Sequence, residues 1–295
     1  MRIRLSSTLV DRYWSNAALI GLLTLLYAPV LLHWVDGWLR KSISIEHEYF
    51  SHGVIGLPFA AHIAWVNRKR WQRLIETSQP AIGLEKFTGA LLLLVAGVFY
   101  LSGLPDFVNL SLPVLLSGIC LWLKGLPGLK LQGFALLLVF LATPSEIPYL
   151  IAPYTLPLQS FIAGTAGFIL NQLGLNVTVE QIYLYVNGQI VEVAPYCAGL
   201  KMLFTSLYVA LMLLYWTDLL RSRIISILFL ACTVMISITA NIIRNTLLTY
   251  FHGTGKDQAF AWLHEGWGGD VYSALMLGLL VVLVSALDKY FSPAD

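Results

Sequence analysis

The sequence predicts an all-α polytopic membrane protein with about eight transmembrane helices and an extracytoplasmic hairpin or re-entrant segment ahead of Cys197. Three observations carry that prediction. Of 295 residues, 58% are apolar and only 12% charged, with a mean hydropathy of +0.74. A soluble domain has about 25% charged residues, so these charges are too few to cover a water-facing surface. Eight apolar stretches approach or reach the ~20 residues that cross a bilayer. Finally, the basic residues divide unevenly between the two sides those stretches define.

The first stretch, 16–35, follows Arg2, Arg4 and Arg12 and runs into Trp34, Asp36 and Trp38. That is an interfacial anchor with no small-x-small cleavage site, so it reads as a retained helix. The second, 53–66, is short and ends at Arg68-Lys69-Arg70. Stretches 87–104, 107–123, 131–148, 198–216, 224–245 and 271–287 complete the set. With the amino terminus inside, only Arg40, Lys41, Lys201, Arg244 and Lys256 of the 18 Lys and Arg fall outside. Both termini are therefore expected in the cytoplasm, the site at the extracytoplasmic face, and residues 1–295 as a single integral-membrane domain without internal repeats. A net charge of +2 without a basic run long enough for it argues against a nucleic-acid partner. Cys120, Cys197 and Cys232 are too scattered for a disulfide or zinc framework, and no cofactor is expected.

Residues 143–193 break the pattern of simple spans. Pro144, Pro148, Pro153 and Pro157 interrupt any continuous helix. Residues 155–173 are apolar enough for a re-entrant or interfacial helix. From 177 to 193 the chain alternates β-branched and polar residues around Asn187-Gly188, the pair that favours a type I′ hairpin turn.

Ionisable and nucleophilic groups then stand out in three places on the outer side, where a charge in lipid costs about 2.5–3.5 kcal/mol and usually serves function. In 194–201, Ala-Pro-Tyr-Cys-Ala-Gly-Leu-Lys, Pro195 suits a helix start. That would place Cys197 in the first turn with Lys201 on the same face, both effects favouring a thiolate. Cys120 and Cys232, inside apolar runs, read as packing residues. Asn241 and Arg244 share a helical face near the end of 224–245, with Asn245 next to them. A snorkelling arginine accounts for these residues as well as a polar site does. His264 lies in the loop 262–270, where Gly268 replaces the second histidine that a His-Glu zinc helix needs. Thiol, guanidinium and imidazole can supply the nucleophile, oxyanion stabiliser and proton carrier of acyl transfer.

With these residues in that order, the chain resembles the exosortase/archaeosortase family of membrane cysteine transpeptidases, most densely over 177–269. The family shows a hairpin, a cysteine opening a helix, Asn-x-x-Arg, then a histidine, matched by Cys197, Asn241 to Arg244, and His264. Ser51-His52-Gly53 resembles a further element near the family's amino-terminal end. The family's commoner Ala-Cys-Ser-Gly-Leu-Arg differs here by Ala198 and Lys201, wording similar to the cyanobacterial exosortases. The resemblance implies a thiol protease and transpeptidase of the bacterial inner membrane. Its partners would be membrane lipids and exported proteins with a carboxy-terminal tail: a Pro-Glu-Pro-type motif, a helix and a basic end. Cys197, Arg244 and His264 would be catalytic, with Lys201 and Asn241 in support. The alternative is a lipid-phosphate-binding transferase or transporter without thiol catalysis, in which Arg244, Lys201 and Glu192 grip an anion. A transporter should place its charges near the midplane and repeat internally, which this sequence does not.

Overall fold

A computed structural model describes residues 7–39, 49–74, 83–193, 199–264 and 266–291. The helices are α1 (Ser7–Leu39), α2 (Gly53–Val66), α3 (Arg68–Arg73), α4 (Gly83–Leu101), α5 (Pro105–Ala142), α6 (Ile147–Ile151), α7 (Leu156–Gln172), α8 (Leu200–Trp216), α9 (Arg223–Gly253), α10 (Asp257–His264) and α11 (Trp267–Phe291). One antiparallel sheet, in the order β1 (Val177–Glu180), β2 (Tyr183–Val186), β3 (Gln189–Glu192), lies between α7 and α8 in the chain. Among the described residues, five helices are long and apolar enough to cross a membrane: α1 over Gly21–Leu39, α4, α5, α9 and α11, with α2 and α8 shorter. The protein is a helical, multi-spanning membrane protein.

Two compact units divide the chain, Met1–Glu48 with Ile63–Ser145, and Tyr49–His62 with Glu146–Asp295. In the first, α4 lies along α5. The 38 residues of α5 would extend about 57 Å as one rod, nearly twice the hydrocarbon thickness. Gly125, at φ 62° and ψ −160°, breaks it. A Cβ on Gly128 would stand 3.2 Å from the Cys120 carbonyl oxygen, although eight helical residues advance about 12 Å. The chain therefore doubles back into a tight helical pair: 107–123 lies in one arm, and the second arm runs from 131 only to Ala142, short of the expected 148 because Thr143 is extended and Pro144 follows. Buried polar groups here are matched: Trp34 Nε1 donates to Asn109 (2.7 Å), Asn109 Nδ2 to the Pro144 carbonyl (3.2 Å), and Lys124 Nζ to the Leu74 carbonyl (2.9 Å). Each such match avoids a desolvation cost of about 1–3 kcal/mol.

The second unit holds the described candidate residues Lys201, Asn241, Arg244 and His264. In α7, positions 159, 162, 163, 166, 167 and 170 recur at helical spacing and are buried. Val177, Leu184, Val186, Val191 and Val193 cover that face, each contributing about 1.5–3 kcal/mol. Asn171 locks the join, exchanging two 2.9 Å hydrogen bonds with the Val177 backbone. The hairpin expected at Asn187-Gly188 is present: Val186 pairs with Gln189, and the turn residues have φ 49° and 81°, both positive as type I′ requires. β1 adds a third strand to it.

α9 carries the polar row Thr233, Ser237, Asn241, Asn245, Thr249 and Gly253, one residue per four, all buried. Small and polar side chains on one row let neighbouring helices approach closely. Aromatic contacts bind the start of the unit to α8: Tyr49 on Phe204, His52 on Tyr208 and Phe59 on Tyr215, with ring centroids 6.3, 4.3 and 6.2 Å apart. His52, from the Ser-His-Gly element, is thus packed on α8.

Candidate active site

Cys197 and Pro195 lie outside the described residues, and the flanking backbone revises one expectation about them. The helix expected to open at Pro195 opens at Leu200, capped by Gly199 at φ 83°. A left-handed residue cannot continue an α-helix, so the helix does not run back through Gly199. Lys201 is the second residue of α8 and half-buried. The reason for a glycine at the cap is local: a Cβ there would stand 2.6 Å from Asn241 Cγ and 2.7 Å from its Nδ2. Gly199→Ala would meet that clash and a left-handed penalty of about 1–2 kcal/mol. A thermal melt of the purified variant should show Tm lowered by several degrees, and adding Asn241→Ala should recover part of the loss.

Asn241 therefore sits against the backbone two residues beyond Cys197. Its neighbour on α9, Asn245, donates from Nδ2 to the Asn241 carbonyl at 2.9 Å and to its Oδ1 at 3.2 Å. That fixes the Asn241 amide with its nitrogen turned away, and Asn241 Nδ2 finds no acceptor among the described residues. One turn on, Arg244 donates from Nη2 to the Leu263 carbonyl at 3.4 Å, immediately before His264. Its buried Nε likewise has no acceptor among the described residues. Two open donors on one helix face form an environment that stabilises negative charge, and buried unmatched donors call for a functional explanation. Tyr272 of α11 donates its hydroxyl to the Ala240 carbonyl, bracing α9 beside Asn241.

α9 runs on to Gly253, more than two turns past Arg244, so the arginine is flanked by helix on both sides instead of closing it. His264 is the last residue of α10, not part of an open loop. Its ring stacks on Phe260 (5.1 Å between centroids, 10° between planes), and Phe260 also meets His252 at 4.9 Å. These rings, with Asn245 and Leu248 of α9 and Ile190, Val191 and Glu192 of β3, line an open cleft of about 140 Å³. Asn187 Nδ2 donates to the Gly253 carbonyl at 2.8 Å and holds the hairpin to the end of α9. Across the sheet's outer face, the Tyr185 phenol is held above its ordinary pKa by desolvation first and by Glu180 second.

The structure thus joins Asn241 to Gly199, and Arg244 to the chain entering His264. His252, Phe260 and Glu192 also belong to the cleft, and His252 was legible: it lies eleven residues, almost three whole turns, from Asn241. Among the described residues no three His, Cys, Asp or Glu side chains could share a metal ion.

The family described as Transmembrane exosortase (Exosortase_EpsH) matches residues 34–281. The chain belongs to that family. Exosortases process the sorting tails of exported proteins, and the match includes both α9 and the cleft. Searches among curated proteins and among solved structures give no match.

Proposed function

We propose that the chain is a membrane-embedded cysteine protease and transpeptidase that cleaves carboxy-terminal sorting tails of the Pro-Glu-Pro type. The supporting observation is the polar face of α9, where Asn241 packs on Gly199 and Arg244 bonds the carbonyl preceding His264. One helix face thereby meets both Gly199 and the residue before His264.

In this reading the Cys197 thiolate attacks the scissile carbonyl carbon. The developing oxyanion accepts hydrogen bonds from Arg244, with Asn241 in support, and Lys201 and the α8 amino terminus favour the thiolate. His264 protonates the leaving nitrogen as the C–N bond breaks, leaving a thioester on Cys197. A lipid amine, a glycan precursor or water then displaces the thiolate. The chain is a single functional domain of the bacterial inner membrane, and α5 counts as two spans. Together with α2 and α8 this gives eight, both termini being cytoplasmic and the site extracytoplasmic. The substrate's tail helix lies beside these spans and presents its motif at the level of Cys197.

The test is a gel shift on a co-expressed exported protein bearing such a tail. A shortened product should appear with the chain and not without it, and His264→Ala should suppress it. A substrate left intact by wild type at normal membrane abundance would remove this reading.

A further inference from the structure

The cleft follows the edge of a strand. Side chains alternate faces along β3, yet the consecutive residues Ile190, Val191 and Glu192 all line the cleft. Only a groove along the strand's backbone edge meets all three. Among the described residues β3 is an outer strand of the sheet, paired with β2 alone. The phase of its hydrogen bonding follows from the hairpin. The Val186–Gln189 pair beside a two-residue turn exchanges both its bonds, and bonded pairs then alternate. The Val193 N–H donating to the Ile182 carbonyl at 2.9 Å continues the same phase. Gln189 and Val191 therefore turn their backbone groups toward β2, and Ile190 and Glu192 turn theirs toward the cleft.

We propose that this cleft takes the extended sorting-tail segment as a fourth strand, main chain to main chain against Ile190 and Glu192. The inference rests on the peptide-processing reading above and specifies how the peptide is held. Strand addition uses an open edge and is indifferent to most side chains. The placement fits delivery to the chemistry. Cys197 follows Glu192 five positions on in the chain, and His264 also lines the cleft. A Pro-x-Pro sequence suits such an edge. In a strand, residues two apart face the same way, so both prolines can turn their missing N–H groups away from β3 while the central residue turns its N–H and carbonyl toward it. The same prolines stop a second strand from pairing on the far side.

The experiment uses the purified full chain in detergent micelles and two synthetic tail peptides, one plain and one N-methylated at the glutamate of Pro-Glu-Pro. Methylation should lower kcat/KM about tenfold, the weight of one backbone hydrogen bond. Ile190→Pro removes one cleft-facing N–H without touching the β2 ladder and should cost a similar factor. Ile190→Ala keeps that N–H and loses only side-chain contact with the cleft, so it should cost less than Ile190→Pro. Equal rates for the two peptides on wild type would overturn strand addition and leave peptide processing standing. No turnover of either peptide by wild type would overturn the function and, with it, this binding mode.

Discussion

Cys197→Ser should abolish tail processing, by at least ~10³-fold, at unchanged abundance in the membrane. A hydroxyl near Lys201 stays protonated at neutral pH, whereas a thiol can ionise there. The readout is the gel shift described above, paired with alkylation by a small thiol reagent. With Cys120 and Cys232 replaced by alanine, any label must lie on Cys197, and labelling should block turnover in proportion. Cys120 is buried in an apolar helix and Cys232 lies within α9, so their removal should leave processing intact. Processing that survives Cys197→Ser would move the functional centre to Arg244 and Lys201 and favour the lipid-phosphate alternative.

Arg244→Lys should lower the acylation rate by about 10²–10³-fold, the usual cost of losing a preorganised oxyanion donor. The guanidinium is a planar fork: Nη2 is engaged by the Leu263 carbonyl, and Nε has no acceptor among the described residues. An ammonium on a flexible stem keeps the charge without holding both directions. Alkylation of Cys197 by the small reagent should proceed at the wild-type rate in this variant, because that reaction develops no oxyanion. A snorkelling arginine predicts instead that lysine substitutes with little loss, since either cation reaches headgroups. The pair of rates thus separates a site residue from a membrane anchor.

The membrane class of the fold was legible because composition and span length are direct physical requirements of a bilayer. The break between 123 and 131 was visible as a gap in the apolar pattern, and Gly125 is its geometric cause. The hairpin was legible because Asn187-Gly188 is among the few pairs that accept two positive φ angles. The extended character of Val177–Glu180 was legible too, but its separation from β2 was not, because that turn uses Gln181 at φ 54°, with no glycine or asparagine to mark it. The helix start at Leu200 was misplaced for a related reason. Pro195 is a favourable local signal, but the packing of Asn241, forty residues away in sequence, decides the conformation of Gly199. The eight-residue α10 has too few turns to be stable alone, so its ring stack and the Arg244 contact were beyond any local pattern. The shared face of Asn241 and Arg244 needed only helical spacing, and it is also the part of the candidate site seen from sequence.

The length of α9 has a kinetic consequence. Its 31 residues extend about 46 Å, against ~30 Å of hydrocarbon. On the proposed topology the helix enters at Arg223 and leaves the lipid near Arg244, so Asn245, Leu248 and His252 stand in the headgroup and aqueous zone. The acyl group on Cys197 would then be formed where solvent is present at tens of molar, not in an anhydrous layer. Release of the thioester becomes a competition between water and the acceptor amine. The ratio of hydrolysed to transferred product should therefore rise and fall with acceptor density in the outer leaflet, and a single enzyme would act as protease in a lean membrane and as ligase in a rich one.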